Sequence, residues 1–160
     1  MGHEISEEIA SQPAHESSIN LDDLARGGDT YEVAFTYRIQ TKSLKTGRLI
    51  GADEGRAILP LTWDEIFKAI GPDLLHQGER WTRNRYGIYD LIADRSREAL
   101  KQKHPKAEVF INYRLTPECK ETIYMQFRTL KLIELDKERN WVLTAAGDDY
   151  LANLFAVRKK

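Results

Sequence analysis

Residues 30–40 place the strongest constraint on the fold. Tyr31, Val33, Phe35, Tyr37 and Ile39 share one parity, and Glu32, Ala34, Thr36, Arg38 and Gln40 share the other. An apolar period of two cannot form one face of a helix, whose side chains come round every 3.6 residues. The segment therefore reads as a strand with one buried and one wet face, and such a strand needs partners beside it and an apolar layer against it. A second alternating stretch, Val109, Ile111, Tyr113 and Leu115 against Asn112 and Arg114, predicts another strand over about 108–115.

The intervening chain reads as a connection, a short strand and helices. Lys42 to Gly55 carries Gly47, Gly51 and Gly55 and reads as a long connection, with Arg48–Ile50 extending the pairing inside it. Ala57–Leu61 reads as a short returning strand, with Pro60 at an edge or end. Thr62 followed by Glu65 predicts a capping box, with Leu61 and Ile66 as its hydrophobic staple and Ile66, Phe67 and Ile70 as the buried stripe. Gly71-Pro72 should end this helix, leaving Leu74 and Leu75 for one more apolar turn. Residues 79–104 read as helical, in one or two pieces around Gly87, with Ile88, Leu91, Ile92, Ala99 and Leu100 inward and a basic outer face.

The last 45 residues have the most diagnostic order. Thr116-Pro117 opens a helix, Thr as cap and Pro at the first position, with Ile123, Phe127, Leu130 and Ile133 on its apolar side. Leu132–Leu135 and Trp141–Thr144 predict a hairpin around the polar tip 136–140. Thr144 then caps a final helix with Leu151, Leu154 and Phe155 as its stripe. The fold class is α+β: a small antiparallel sheet with several helices.

Charge divides the chain. Its net charge is −1, but residues 1–30 carry −6, residues 31–78 are neutral and residues 79–160 carry +5. Residues 1–28, rich in Glu and Ser, read as an acidic flexible tail, and 29–160 as a single domain. No apolar run approaches the length of a membrane span, and no secretory signal is legible at the start, so the expected location is cytoplasmic. One cysteine, Cys119, rules out an internal disulfide and a cysteine-rich zinc site. His3, His15, His76 and His104 show no metal-pair spacing, and no glycine-rich phosphate loop is present. No cofactor, no metal and no catalytic constellation are expected, so the chain reads as non-enzymatic.

Two stretches carry a family resemblance. Phe127-Arg128-Thr129-Leu130-Lys131-Leu132-Ile133-Glu134, followed by Trp141-Val142-Leu143-Thr144-Ala145-Ala146-Gly147, resembles a winged helix: an amphipathic helix, a β-hairpin wing, and a threonine-to-glycine opening of the next helix. That likeness covers about 116–157. With Leu61-Thr62-Trp63-Asp64-Glu65-Ile66-Phe67 it is similar to small accessory domains at the C-termini of bacterial multidomain proteins, some of them suspected of antiphage defence. The resemblance implies a winged-helix-like C-terminal unit and a nucleic-acid-binding or regulatory role. The chain departs from the pattern in one place: a strand, not a positioning helix, precedes the candidate recognition helix.

Lys120, Tyr124, Arg128 and Lys131, spaced four, four and three, lie along one side of that helix, and Lys137 and Arg139 stand at the wing tip. These six are the candidate nucleic-acid contacts, with double-stranded DNA as the partner. Arg80, Trp81, Arg83, Arg85 and Tyr86 form a second basic and aromatic cluster, a candidate interface for a homodimer or another protein partner. The alternative function is accordingly a protein–protein interaction module, through self-association or as an adaptor.

Overall fold

A computed structural model describes residues 21–75 and 87–159. The architecture is mixed α+β. Strands β1 (Thr30–Lys42), β2 (Leu49–Thr62) and β3 (Val109–Leu115) form one antiparallel sheet in the order β2-β1-β3, and β4 (Ile133–Leu135) and β5 (Trp141–Leu143) form a separate hairpin. The helices are α1 (Trp63–Leu75), α2 (Ile88–Lys103), α3 (Pro117–Thr129) and α4 (Ala145–Phe155).

The alternation of β1 decides where the helices sit. Val33, Phe35 and Tyr37 are fully buried, and they pack with Ile66, Phe67 and Ile70 of α1, Ile92 and Leu100 of α2, and Ile123 and Phe127 of α3. Burial of this one apolar face is the main driving force for docking the helices. Phe127 fills the centre, its ring 4.9 Å from Phe67 and edge-on to Trp63 at 5.5 Å. β1 is the central strand, paired with β2 along its length and with β3 over Phe35–Gln40.

Each local start signal forms as the sequence predicts. The Thr62 backbone N–H donates to Glu65 Oε1 and the Glu65 N–H to Thr62 Oγ1, both at 3.1 Å, completing the capping box of α1. Leu61 and Ile66 are buried beside it. Thr116 and Thr144 accept from the backbone N–H of Cys119 and Gly147 in the same way.

Several expectations are corrected. The long glycine-bearing connection is part of a hairpin: β2 starts at Leu49, and the turn closes through Ser43 N–H to Arg48 O at 2.8 Å. Gly55 lies opposite Tyr37, whose ring would sit 2.2 Å from any added Cβ, so this glycine accommodates a buried aromatic ring. Gly71-Pro72 does not end α1, which runs on to Leu75. Pro72 removes only one backbone hydrogen bond in the last turn, and Gly71 lets Leu151 of α4 pack against that turn.

In β3, Asn112 adopts φ 55 beside a register shift between Thr36 and Arg38. The bulge changes parity, so Phe110 joins Tyr113 and Leu115 against the core while Val109 is exposed. On α2 the buried row is Ile88, Ile92, Ser96 and Leu100; Ser96 satisfies itself on Ile92 O at 2.6 Å, and Ala99 is exposed. Residues 79–86 of the expected helical region lie outside the described residues. At the end of α4, Phe155 is exposed under the ammonium of Lys68, 4.8 Å from the ring centre.

The described part of the acidic N-terminal segment is tied to the body. Leu21–Asp23 form a 3-10 turn. Gly27 O and Asp29 O accept from the backbone N–H groups of Asp64 and Trp63, and Ala25 O accepts from Gln126 Nε2 at 2.7 Å. This strap therefore spans the start of α1 and the last turn of α3.

Candidate nucleic-acid interface

The C-terminal unit is a helix, a hairpin and a helix joined by specific backbone devices. Helix α3 ends in paired bonds: Leu132 N–H to Phe127 O and Lys131 N–H to Arg128 O, both 2.9 Å, with Lys131 left-handed at φ 62. This is a Schellman ending, with lysine where glycine is usual. At the hairpin tip, Asp136 Oδ1 accepts from the backbone N–H groups of Glu138 and Asn140 at 2.9 Å, and Arg139 sits at φ 64. Thr144 joins the halves: its hydroxyl donates to Lys131 O at 2.6 Å, and its N–H donates to Leu132 O at 3.1 Å. The turn after α3 and the tip are thus both fixed by hydrogen bonds.

Five of the six expected contacts lie on this surface. Lys120, Arg128, Lys131, Lys137 and Arg139 are exposed, and none makes an ion pair among the described residues. Glu118, Glu121, Glu134 and Glu138 are exposed on the same elements, so the surface is of mixed sign. Gln126, where the N-terminal strap lands, leaves Lys120 and Arg128 uncovered.

Tyr124 behaves differently. Its ring stacks on Trp141 of β5, centroids 5.6 Å apart and planes 23° from parallel. Burial, reinforced by the charge of Asp73 and by Tyr89, pushes its phenol above the usual tyrosine range. Tyr124 therefore anchors the hairpin to α3 and is drawn out of the outward row. Helical spacing alone could not show this, because Trp141 lies in the strand beyond the hairpin tip.

Arg80, Trp81, Arg83, Arg85 and Tyr86, the candidate interface cluster, lie outside the described residues. The element preceding α3 is the strand β3, as the sequence suggests.

Of the concavities that went unread in the sequence, two lie against the first turn of α1. One is a groove of about 940 Å³ between α1, α2 and the end of α4, lined by Leu91, Phe155 and the Glu65–Arg95 ion pair at 2.5 Å. Burial opposes ionisation of Glu65, but the Thr62 backbone and hydroxyl, followed by Arg95, overcome it and hold the carboxyl below its ordinary range. The other is a small cavity of about 180 Å³ beside Trp63, Phe67 and Tyr150. Trp63 is buried and its Nε1 has no hydrogen-bond partner among the described residues. The Tyr150 hydroxyl donates a short hydrogen bond to Asp64, and burial together with that bond pushes its phenol up to about 12.

Among the described residues no group of three His, Cys, Asp or Glu side chains could hold a metal ion, and no helix is long and apolar enough to cross a membrane. His104, at the end of α2, is engaged by the buried Tyr37 hydroxyl at 2.8 Å. Compared with known proteins, the chain matches no protein family, no curated protein and no solved structure.

Proposed function

We propose that the protein is a non-enzymatic nucleic-acid-binding or regulatory module, and that α3 with the β4–β5 hairpin forms a winged-helix-like surface for the phosphates of double-stranded DNA. One observation carries this reading: five exposed cations without ion-pair partners among the described residues, Lys120, Arg128, Lys131, Lys137 and Arg139, stand on a helix, the turn after it and a tip whose backbones are fixed. Cations held in this way contact phosphates with little backbone ordering cost. Glu118 and Glu121 beside them oppose long-range attraction, so affinity is modest and position matters more than net charge.

The test is duplex binding by fluorescence anisotropy between about 50 and 200 mM salt. Five phosphate contacts give a log–log slope of about −4 to −5, and the double variant Lys137→Gln/Arg139→Gln reduces its magnitude by about 1.8. A slope near zero, or a double variant that binds like the parent, rejects the proposal.

A further inference from the structure

The sheet has a second face, and its charge pattern follows from strand register. Thr36 of β1 is paired with Arg56 of β2 on one side and Arg114 of β3 on the other. Directly opposed residues share a face, and Thr36 alternates with the buried Phe35 and Tyr37, so both arginines project from the side away from the helices. Arg38 is the next outward residue of β1, opposite Glu54. All three arginines are exposed, and none makes an ion pair or side-chain hydrogen bond among the described residues, Glu54 included. At the spacing of neighbouring strands, Arg56 and Arg114 are anchored about 10 Å apart, with Arg38 about 7 Å further along.

With three arginines against one acid, Glu54, the row is net positive. Like charges flanking one residue repel unless something negative lies over them. Guanidinium forks match phosphate oxygens two at a time, and the hydroxyl of Thr36 lies between two of them. One row further on, Ile58 is exposed opposite Ala34 and offers an apolar contact.

We infer that this open face binds a single-stranded nucleic acid through its phosphates, without base preference. Each nucleotide brings a phosphate on a flexible backbone, so a short strand can meet all three arginines, and each guanidinium fork can engage two phosphate oxygens. A flexible strand can follow the twist of three β-strands, which a stiff duplex cannot. No aromatic side chain is placed on this row, so stacking readout of bases is not offered here. The inference does not rest on the helix–hairpin reading, since it uses other residues on another element.

The experiment is anisotropy of a fluorescein-labelled oligothymidylate with the full chain. Three contacts to a single strand give a salt slope of about −2. The exposed-site variant Arg38→Gln/Arg56→Gln/Arg114→Gln should retain the parental circular-dichroism spectrum and melting curve, lose affinity about tenfold or more at low salt, and flatten the slope. Glu54→Gln should tighten binding, because it removes the one acid opposite Arg38. Absence of binding at low salt, unchanged affinity in the triple variant, or equal displacement by polyglutamate at matched ionic strength overturns the inference. Loss of oligothymidylate binding only in Lys137→Gln/Arg139→Gln also overturns it, while leaving the helix–hairpin proposal intact.

Discussion

Gly147→Ala should destabilise the protein, against the helix propensity of the two residues. Gly147 lies in the first turn of α4, where exchange to alanine ordinarily gains up to about 1 kcal/mol. Here an added Cβ would stand 1.9 Å from Leu132 O. An ordinary carbon–oxygen approach is about 3.3 Å, so α4 and the end of α3 must separate by about 1.4 Å. Leu132 O is the acceptor for Thr144 N–H, and Thr144 also donates to Lys131 O and caps Gly147, so that shift strains one compact set of bonds. Overpacking costs about 1–3 kcal/mol, and losing two hydrogen bonds costs about 2 kcal/mol. Set against the propensity gain, the net loss is about 2–4 kcal/mol. Urea denaturation followed by circular dichroism measures it as a lower midpoint at unchanged slope. A variant as stable as the parent, or more stable, refutes the close approach of α4 to Leu132.

Two further outcomes follow from the titrating groups. The Glu65 carboxyl is held below its ordinary value of 4.5 in the folded state, so its contribution to stability is present above that pH and lost as pH falls through the depressed value; Glu65→Gln should flatten stability between about pH 5 and 3 in acid-denaturation curves, and an unchanged acid limb would count against the capping box and the Arg95 pair. The Tyr150 phenol is raised to about 12, so its neutral form stabilises the fold below pH 10 and that contribution is lost as pH rises toward 12; in ultraviolet titration Tyr150→Phe should reduce the late-titrating phenol absorbance by one tyrosine, and an unchanged late component would exclude the bond to Asp64.

How legible these features were depends on the range of the physics. The three threonine caps were readable because a cap is completed within three residues, as with Thr62 and Glu65 or Thr144 and Gly147. The hairpin around 136–140 was readable for the same reason. Gly55 was misread because glycine looks like a loop residue until the ring of Tyr37 is seen lying against it from the neighbouring strand. Pro72 was misread because its local penalty is outweighed by packing of the last turn of α1 on α4.

The candidate site divides along the same line. The exposure of Lys120 and Arg128 follows from helical period, but the stacking of Tyr124 on Trp141 does not. The arginine row of the open sheet face was invisible in the sequence: Arg38, Arg56 and Arg114 meet only through pairings set by the hairpin and by the bulge at Asn112.

The left-handed backbone at Lys131 and Arg139 separates electrostatics from architecture. A chain refined for firmness alone would carry glycine at both places, where lysine and arginine each sustain conformational strain of about 1–2 kcal/mol. Glycine there would discharge two of the five cations while relaxing the joints that hold the ribbon, yielding a less cationic scaffold at least as robust as the original. The cationic arms are thus carried in spite of the bends they occupy, and are not a by-product of them.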